Sequence, residues 1–549
     1  MTNKNVLVVL TIALSIQLTL AQTTTSPLDD PIPEPIISNG VGVVLEEFVT
    51  IPASDSSEPL ARINFLGHAN DNSNRLFVND LRNSLYVIEN QTVSEYLNVS
   101  TEFADFADSP RLGSGFGFFA FHPEFATNGK FYTVHTESGN ALLNVTPDFT
   151  SPNTDEMQGV VVEWTANDPS ANTFSGSKRE LLRIAFDTSI HGFQQIGFNE
   201  TANESDEDYG LLYLAVGDGE ETPVFSGAPQ DLSVPYGKIL RIDPLGNNSS
   251  NGNYGIPASN PFVNDSNALG EIWAYGFRNP HRFSWDSGGT HKMFIGNIGE
   301  KNIDAIYLGE SGANYGWNER EGSFLFEIED PFNVYALPED DATNNYTYPV
   351  AQYDHDEGFA IVGGFVYRGN SIPDLYGKYV FGDIVKGRFF YCEESEMTTD
   401  NQFAQIHELV IYDENEEETN LLDLVDATRA DLRFGMNNEG EIYVLSKRNG
   451  KIWKMKALSA TANVSSFENS PIKIYPNPVN DELYIDFLSN PNDAVKLRVF
   501  NYLGQELKTL SVNDNTDNIN ISINNLPSGL YFLKTEIADN NFVTKFIKK

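Results

Sequence analysis

Cysteine is nearly absent: Cys392 is the single one in 549 residues. No disulfide can form within the chain, which excludes the small disulfide-stapled class of secreted domains. Basic residues are scarce too, with 35 Lys and Arg against 77 Asp and Glu and a net charge of −42. Such a polyanion repels nucleic acid phosphates and anionic lipid headgroups, so nucleic-acid binding is discarded as a function. Long apolar runs are also missing. The run from Val6 to Ile16 falls short of the ~20 residues that span a bilayer, and no later segment is longer. Nor does any segment sustain helical periodicity.

What remains is rich in turns and rings. Aromatics make up 12% of the chain, with 42 Gly and 27 Pro, a composition of ordered globular proteins and not of acidic disordered chains. The acidity therefore belongs mostly to a folded surface. At about 150 residues per domain the length predicts three to four domains, or fewer if one is a large all-β unit.

Residues 1–21 have the form of an export signal: Lys4, an apolar centre, then Thr19-Leu20-Ala21 as a small-x-small cleavage site. Export with almost no cysteine fits a bacterial envelope or extracellular protein better than an animal ectodomain. The Asn-x-Ser/Thr sequons, such as Asn98-Val99-Ser100, then reflect Asn-rich composition. Residues 22–40, rich in Pro, Thr and Asp, read as a tether.

Beyond the tether one unit recurs six times: an apolar β run, a Gly, Asp or Asn turn, and often a second β run. It stands at residues 74–90, 129–137, 210–220, 291–300, 377–393 and 440–455. Alternating aromatic and β-branched residues bounded by turn formers predict short strands. Units of irregular spacing suit propeller blades with long insertions, the alternative being an array of β-sandwiches. Residues 457–470 turn small and polar and read as a linker. Residues 471–549 alternate again, with Pro and Gly at the turns, and predict a small β-sandwich.

Several motifs carry a resemblance. GFGFFAFHPEFATNGKFYT (115–133), YGKILRIDP (236–244), YGFRNP (275–280), NYGW (314–317) and YDHDEGFAIVGGFVYRG (353–369) stand in the order found in the soluble glucose/sorbosone dehydrogenases. That family uses pyrroloquinoline quinone (PQQ) and includes aldose dehydrogenases and hedgehog-interacting-protein-like relatives. YPNP (475–478), VFNYLGQEL and LPSGLYFLK resemble the C-terminal sorting domain of type IX secretion in Bacteroidetes. The resemblance implies an all-β chain with a six-bladed β-propeller over 41–456 and a sorting domain over 471–549. It further implies a secreted enzyme that oxidises the anomeric hydroxyl of an aldose sugar to a lactone, with PQQ and Ca²⁺ as cofactors. Its partners would be an electron acceptor and the type IX secretion machinery.

Such chemistry needs a base for the hydroxyl proton and donors where negative charge gathers on the quinone. By the resemblance His191 is the base, and Arg278 with Asn279 serves the quinone oxygens. Tyr315 and Trp317 wall the cofactor, and Gly296, Asn297 and Tyr315 contact the metal. Plainer readings stand beside these: a backbone-satisfied loop histidine for His191, a blade-turn ion pair for Arg278, and core packing for Tyr315 and Trp317. His122 reads as structural, Asp354–Glu357 as a solvated acidic loop with a cation as the alternative, and Asp218 as a face-lining or turn-capping carboxylate. Lys386 is an approximate candidate for the family's cofactor lysine. The chain departs from the family at Gly113, where Gln or Glu is usual, at Phe193, and at Lys301 and Asn302 in the calcium loop. The alternative function is a propeller of the same fold that binds a glycan or a protein without catalysis.

Overall fold

The computed structural model describes residues 26–459 and 472–549, apart from 70, 72, 110–112, 152–156, 189–190, 220–226, 401, 488–494, 502–504, 513–517 and 538–539. The expected export signal and most of the expected linker lie outside the described residues. The chain divides into two compact units, with the division between Leu458 and Ser459.

The first unit is a six-bladed propeller of four-stranded antiparallel sheets. Blade 1 runs from Ile63–His68 through Thr92–Asn98, blade 2 from Phe116–Phe121 through Gly176–Phe186, and blade 3 from Phe193–Phe198 through Ile272–Tyr275. Blade 4 runs from Asn279–Trp285 through Ala351–Asp354, and blade 5 from Phe365–Val366 through His407–Tyr412. Blade 6 takes three strands from the end of the unit, Leu432–Met436, Ile442–Ser446 and Lys451–Ala457, and its outermost strand, Ser38–Thr50, from the beginning. That strand pairs antiparallel with Lys451–Ala457 and also bridges, in parallel, to the outer strand of blade 5. Closure by main-chain hydrogen bonds ties the two ends of a ring that would otherwise open at one seam. All six recurring sequence units fall on the second strands of the six blades.

The apolar core is divided. Six hydrophobic clusters occupy the six interfaces between neighbouring blades. This explains the near-continuous apolar strands: Leu76–Asp80, Leu212–Val216 and Lys238–Ile242 are buried at every residue, because both faces of a blade pack on a neighbour. Cys392 lies buried between blades 4 and 5.

Residues 28–36, expected within a tether, are held against the propeller. Leu28 N donates to Val334 O, Ile32 N to Asp354 and Ile36 N to Glu357. The Asp354–Glu357 run is thus an anchor for this segment, and Glu357 also pairs with Arg388. The expected tether's last residues already belong to the strand Ser38–Thr50.

The second unit forms two sheets, of three and four strands. Alternate residues such as Leu483, Ile485, Leu497, Val499 and Leu533 share one buried cluster, as a sandwich requires.

Candidate functional site

The six innermost strands run in the same direction around the axis, so their first residues gather at one mouth and their last at the other. At the first mouth is a cavity of about 280 Å³, near the lower end of ligand-pocket sizes. Four cationic side chains line it, Arg282, Arg429, Arg433 and Lys447, against one carboxylate, Asp431. In a chain of net charge −42 this reverses the sign of the surface. Arg282 is buried and held by main-chain carbonyls: it donates to those of Gln194 (2.9 Å), His281 (2.6 Å) and Asn64 (3.5 Å) and lies 5.0 Å from the Phe118 ring centre. Arg433 donates to Asn64 Oδ1 at 3.1 Å and to Leu432 O. Burial, then the charge of Arg433, pushes the Arg282 guanidinium well below its usual range. Burial pushes Arg433 down to about 10, and burial with the facing Arg433 lowers Lys447. Arg429, half-exposed, pairs with Asp431 at 2.6 Å, and the buried Arg282, Arg433 and Lys447 outnumber that one carboxylate. Buried cations in excess of counter-charge are costly, so this cavity favours an anion.

His191 stands on the same wall. Its backbone is left-handed (φ +54°), and its carbonyl accepts from Gly219 N at 3.1 Å. A Cβ at Gly217 would come within 2.4 Å of that carbonyl, which is why glycine follows Val216 at the strand end. The fold thereby lays the histidine over the Gly217-Asp218-Gly219 turn. Nδ1 of His191 is 2.8 Å from Asp218 Oδ1, and Asp218 Oδ2 accepts from Trp317 Nε1 at 3.1 Å. A carboxylate can only accept, so Nδ1 carries the hydrogen, and in the neutral ring the lone pair stands at Nε2. The chain His191–Asp218–Trp317 fixes both tautomer and ring orientation.

The expected residues separate into two groups. His191 and Asn279 line the cavity, and the side-chain oxygen of Asn279 is buried without a protein hydrogen-bond partner. Arg278 and Trp317 stand behind it. Arg278 forms an ion pair with Glu300, which Lys301 also meets at 3.2 Å, and its guanidinium carbon is 6.0 Å from the Trp317 ring. The plainer reading, a blade-turn ion pair, describes Arg278 as it stands.

Tyr315 takes no part in the cavity. Its hydroxyl donates to Leu308 O and accepts from Glu310 N, and its ring stacks on Phe277 at 4.3 Å. Gly296, Asn297 and Tyr315 also fail as a calcium cage. Gly296 and Asn297 lie mid-strand with neighbours on both sides, and Asn297 Oδ1 accepts from Asn279 N. A hard cation needs converging oxygens, and these are turned to other partners. Among the described residues no group of three or more His, Cys, Asp or Glu could hold a metal ion. The following loop is organised around an anion: Glu321 Oε1 accepts from the N–H groups of Glu300, Lys301, Asn302 and Ile303 at 2.7–3.1 Å.

Lys386 is likewise engaged elsewhere, donating to Asp356 O with its ammonium 4.8 Å from the Phe359 ring. Arg282, Arg429, Arg433 and Lys447 are the cavity cations that the sequence motifs did not single out. Arg282 was within reach, four residues beyond Arg278. His122 is structural: Nδ1 accepts from Glu124 N, and burial pushes the imidazole down to about 4. Of the departures, Gly113 leaves open space at the cavity wall, while Phe193 lines it and packs over Gly159.

Fold and site together define a closed propeller with a cation-lined axial cavity beside a carboxylate-oriented histidine. Residues 66–454 match the model of the Glucose / Sorbosone dehydrogenase family, and the chain belongs to that family. Residues 473–549 match a secretion system C-terminal sorting domain, which indicates a secreted or surface-attached protein. The "HIPL2 protein" of Arabidopsis thaliana is 31% identical over 384 residues, 62% of this chain and 53% of its own length. Human "Hedgehog-interacting protein" is 27% identical over 349 residues, 61% of this chain and 42% of its own. The chain thus spans about half the length of the curated relatives it matches. In fold it is similar to a solved "glucose dehydrogenase" (TM-score 0.53, 15% identity, 74% of this chain, 99% of that one). It is also similar to the apo-form soluble aldose sugar dehydrogenase of Escherichia coli (TM-score 0.51, 17% identity, 75% and 99%).

Proposed function

We propose that the protein is an exported PQQ-dependent dehydrogenase that oxidises the anomeric hydroxyl of an aldose to the lactone. The observation that carries this reading is the cavity of four cations and one carboxylate opening beside His191. PQQ is a flat tricarboxylate, so the fit is one of charge: Arg282, Arg433 and Lys447 would hold its carboxylates, and Asn279 would meet its edge. When bound, PQQ supplies the hydride acceptor.

His191 Nε2 takes the hydroxyl proton. Asp218, holding Nδ1–H, stabilises the imidazolium that results, and Trp317 keeps Asp218 from turning away. Arg278 acts through Trp317 and Glu300, as a positioning residue behind the wall. No step is assigned to calcium. Electrons leave to an acceptor in the cell envelope, and the sorting domain addresses the protein to the type IX secretion machinery. Residues 1–21 act as the export signal, and 457–470 link the two units.

A second reading has two observations in its favour. Gly113 offers no side chain where the family's Gln or Glu would stand, and Arg278 is occupied by Glu300. In that reading the propeller keeps the anion cavity and binds a glycan or protein without turnover. Gel filtration after incubation with PQQ separates the readings. Retained quinone absorbance with aldose-dependent dye reduction supports the enzyme; retention without reduction of dye by any aldose supports the binder.

A further inference from the structure

The opposite mouth of the axis holds a second cavity, of about 180 Å³. It is lined by the last residues of the innermost strands, from Gly67 and His68 in blade 1 to Met436 in blade 6. Phe65, Phe118, Phe121, Phe198, Trp285 and Phe365 supply ring surface, and no Lys or Arg lines it. The two cavities are separated by a plug. Phe65 stacks on Phe118 at 4.1 Å, the Arg282 guanidinium lies 5.0 Å from the Phe118 ring centre, and Gln195 exchanges two hydrogen bonds with the Phe283 backbone at 2.8 and 2.9 Å.

Chemistry and size narrow the occupant. Several polar side chains of the lining are already committed: Gln195 to Phe283, Ser284 Oγ to Gly364 O, and Asn199 to Asp208 and Thr201. Against the six rings a sugar would bury hydroxyls on apolar surface, and no Lys or Arg of the lining meets an anion. Engineered apolar cavities of ~150 Å³ take benzene, so this space matches one six-membered ring with a small substituent. Glu200 and His68 stand 3.8 Å apart among the lining residues, Glu200 half-exposed. We propose that this cavity is a second ligand site, taking a neutral single-ring aromatic compound. The inference stands apart from the dehydrogenase reading, because it uses none of the residues around His191.

The test uses toluene as the neutral ring and benzoate as the same ring with a charge. Toluene should bind the full chain saturably, one per chain by calorimetry, and change the Trp285 fluorescence. Saturation should also raise the Tm, since a ligand bound only to the folded state stabilises it. Ala120→Leu puts an isobutyl group into the cavity and should weaken toluene binding by about tenfold or more. Benzoate binding should be unaffected by Ala120→Leu, because the anion belongs at the other mouth. If Ala120→Leu does not fold, Trp285→Phe serves instead: calorimetric binding should persist while the fluorescence response disappears. No saturable toluene binding, or toluene binding equal in wild type and folded Ala120→Leu, overturns the proposal. So does a fluorescence response that survives Trp285→Phe.

Discussion

The same six strands build two cavities of opposite character. At their first residues the axis carries Asn279, Arg282 and Arg433; at their last, Phe121, Phe198 and Trp285. A few residues of strand separate a site that gathers cations from one that has none. The difference shows that in a closed propeller the axis is not one channel with one polarity. Each inner strand contributes twice, and the plug of Phe65, Phe118 and Arg282 keeps the two environments apart.

The comparison breaks most sharply at His191. His191→Ala should lower dye-linked aldose oxidation by about 10² to 10⁴-fold, the usual share of general base catalysis, with PQQ retention nearly unchanged. A rate within about threefold of wild type would remove this histidine from the chemistry. The aromatic mouth should respond to toluene as before.

Next in size, Arg282→Met trades a buried guanidinium for an apolar chain of similar length. PQQ retention should fall about tenfold or more, since the loss of one charged contact is worth roughly 1.5–3 kcal/mol. Stability should hold or rise, because a buried cation facing Arg433 without a carboxylate opposes folding. Parallel loss of Tm and PQQ binding would mean that Arg282 is a structural part of the plug and not a ligand group.

A smaller effect concerns pH. Asp304 is fully buried, and desolvation first, then the charge of Asp383, pushes its carboxyl up to about 8. A carboxyl raised above its unfolded value contributes stability that is complete below pH 3.8 and is lost as pH rises through about 8. Asp304→Asn cannot ionise, so its Tm minus that of wild type should grow from pH 6.5 to pH 9. The lowered lysines Lys238 and Lys447 act in both proteins and cancel in this difference. A difference flat with pH would show that Asp304 is ionised throughout.

The smallest expected effect sharpens the contrast between the two units. Removing residues 471–549 should leave the propeller's Tm almost unmoved, because each unit has its own buried cluster, and the truncated chain should stay in the periplasm. A propeller that fails to fold without them would refute the independence of the units.

Much of this architecture was legible in the residues. The unit of β run and Gly/Asp turn repeats because each blade needs a second strand buried on both faces, a demand that local sequence can meet. His191 and Asn279 were legible through their motifs, and both reach the cavity wall. Glu300 and Glu321 were not, since nothing local tells which carboxylate will face Arg278 or collect four N–H groups. The metal contacts at Gly296, Asn297 and Tyr315 were read from sequence alone, but strand pairing and the Leu308 carbonyl engage their polar groups.

By itself the sequence determined strand identity, the six-fold repetition and the separate C-terminal sandwich, because alternation and turn chemistry act over a few residues. Only the tertiary structure decided that Arg282, Arg429, Arg433 and Lys447 converge while Lys386 does not, and that Asp218 orients His191. It alone set a cationic mouth against an aromatic one. Ring closure brings together residues from blades 4 and 6 that are more than a hundred positions apart, and charge and burial at such a meeting point depend on every neighbour at once.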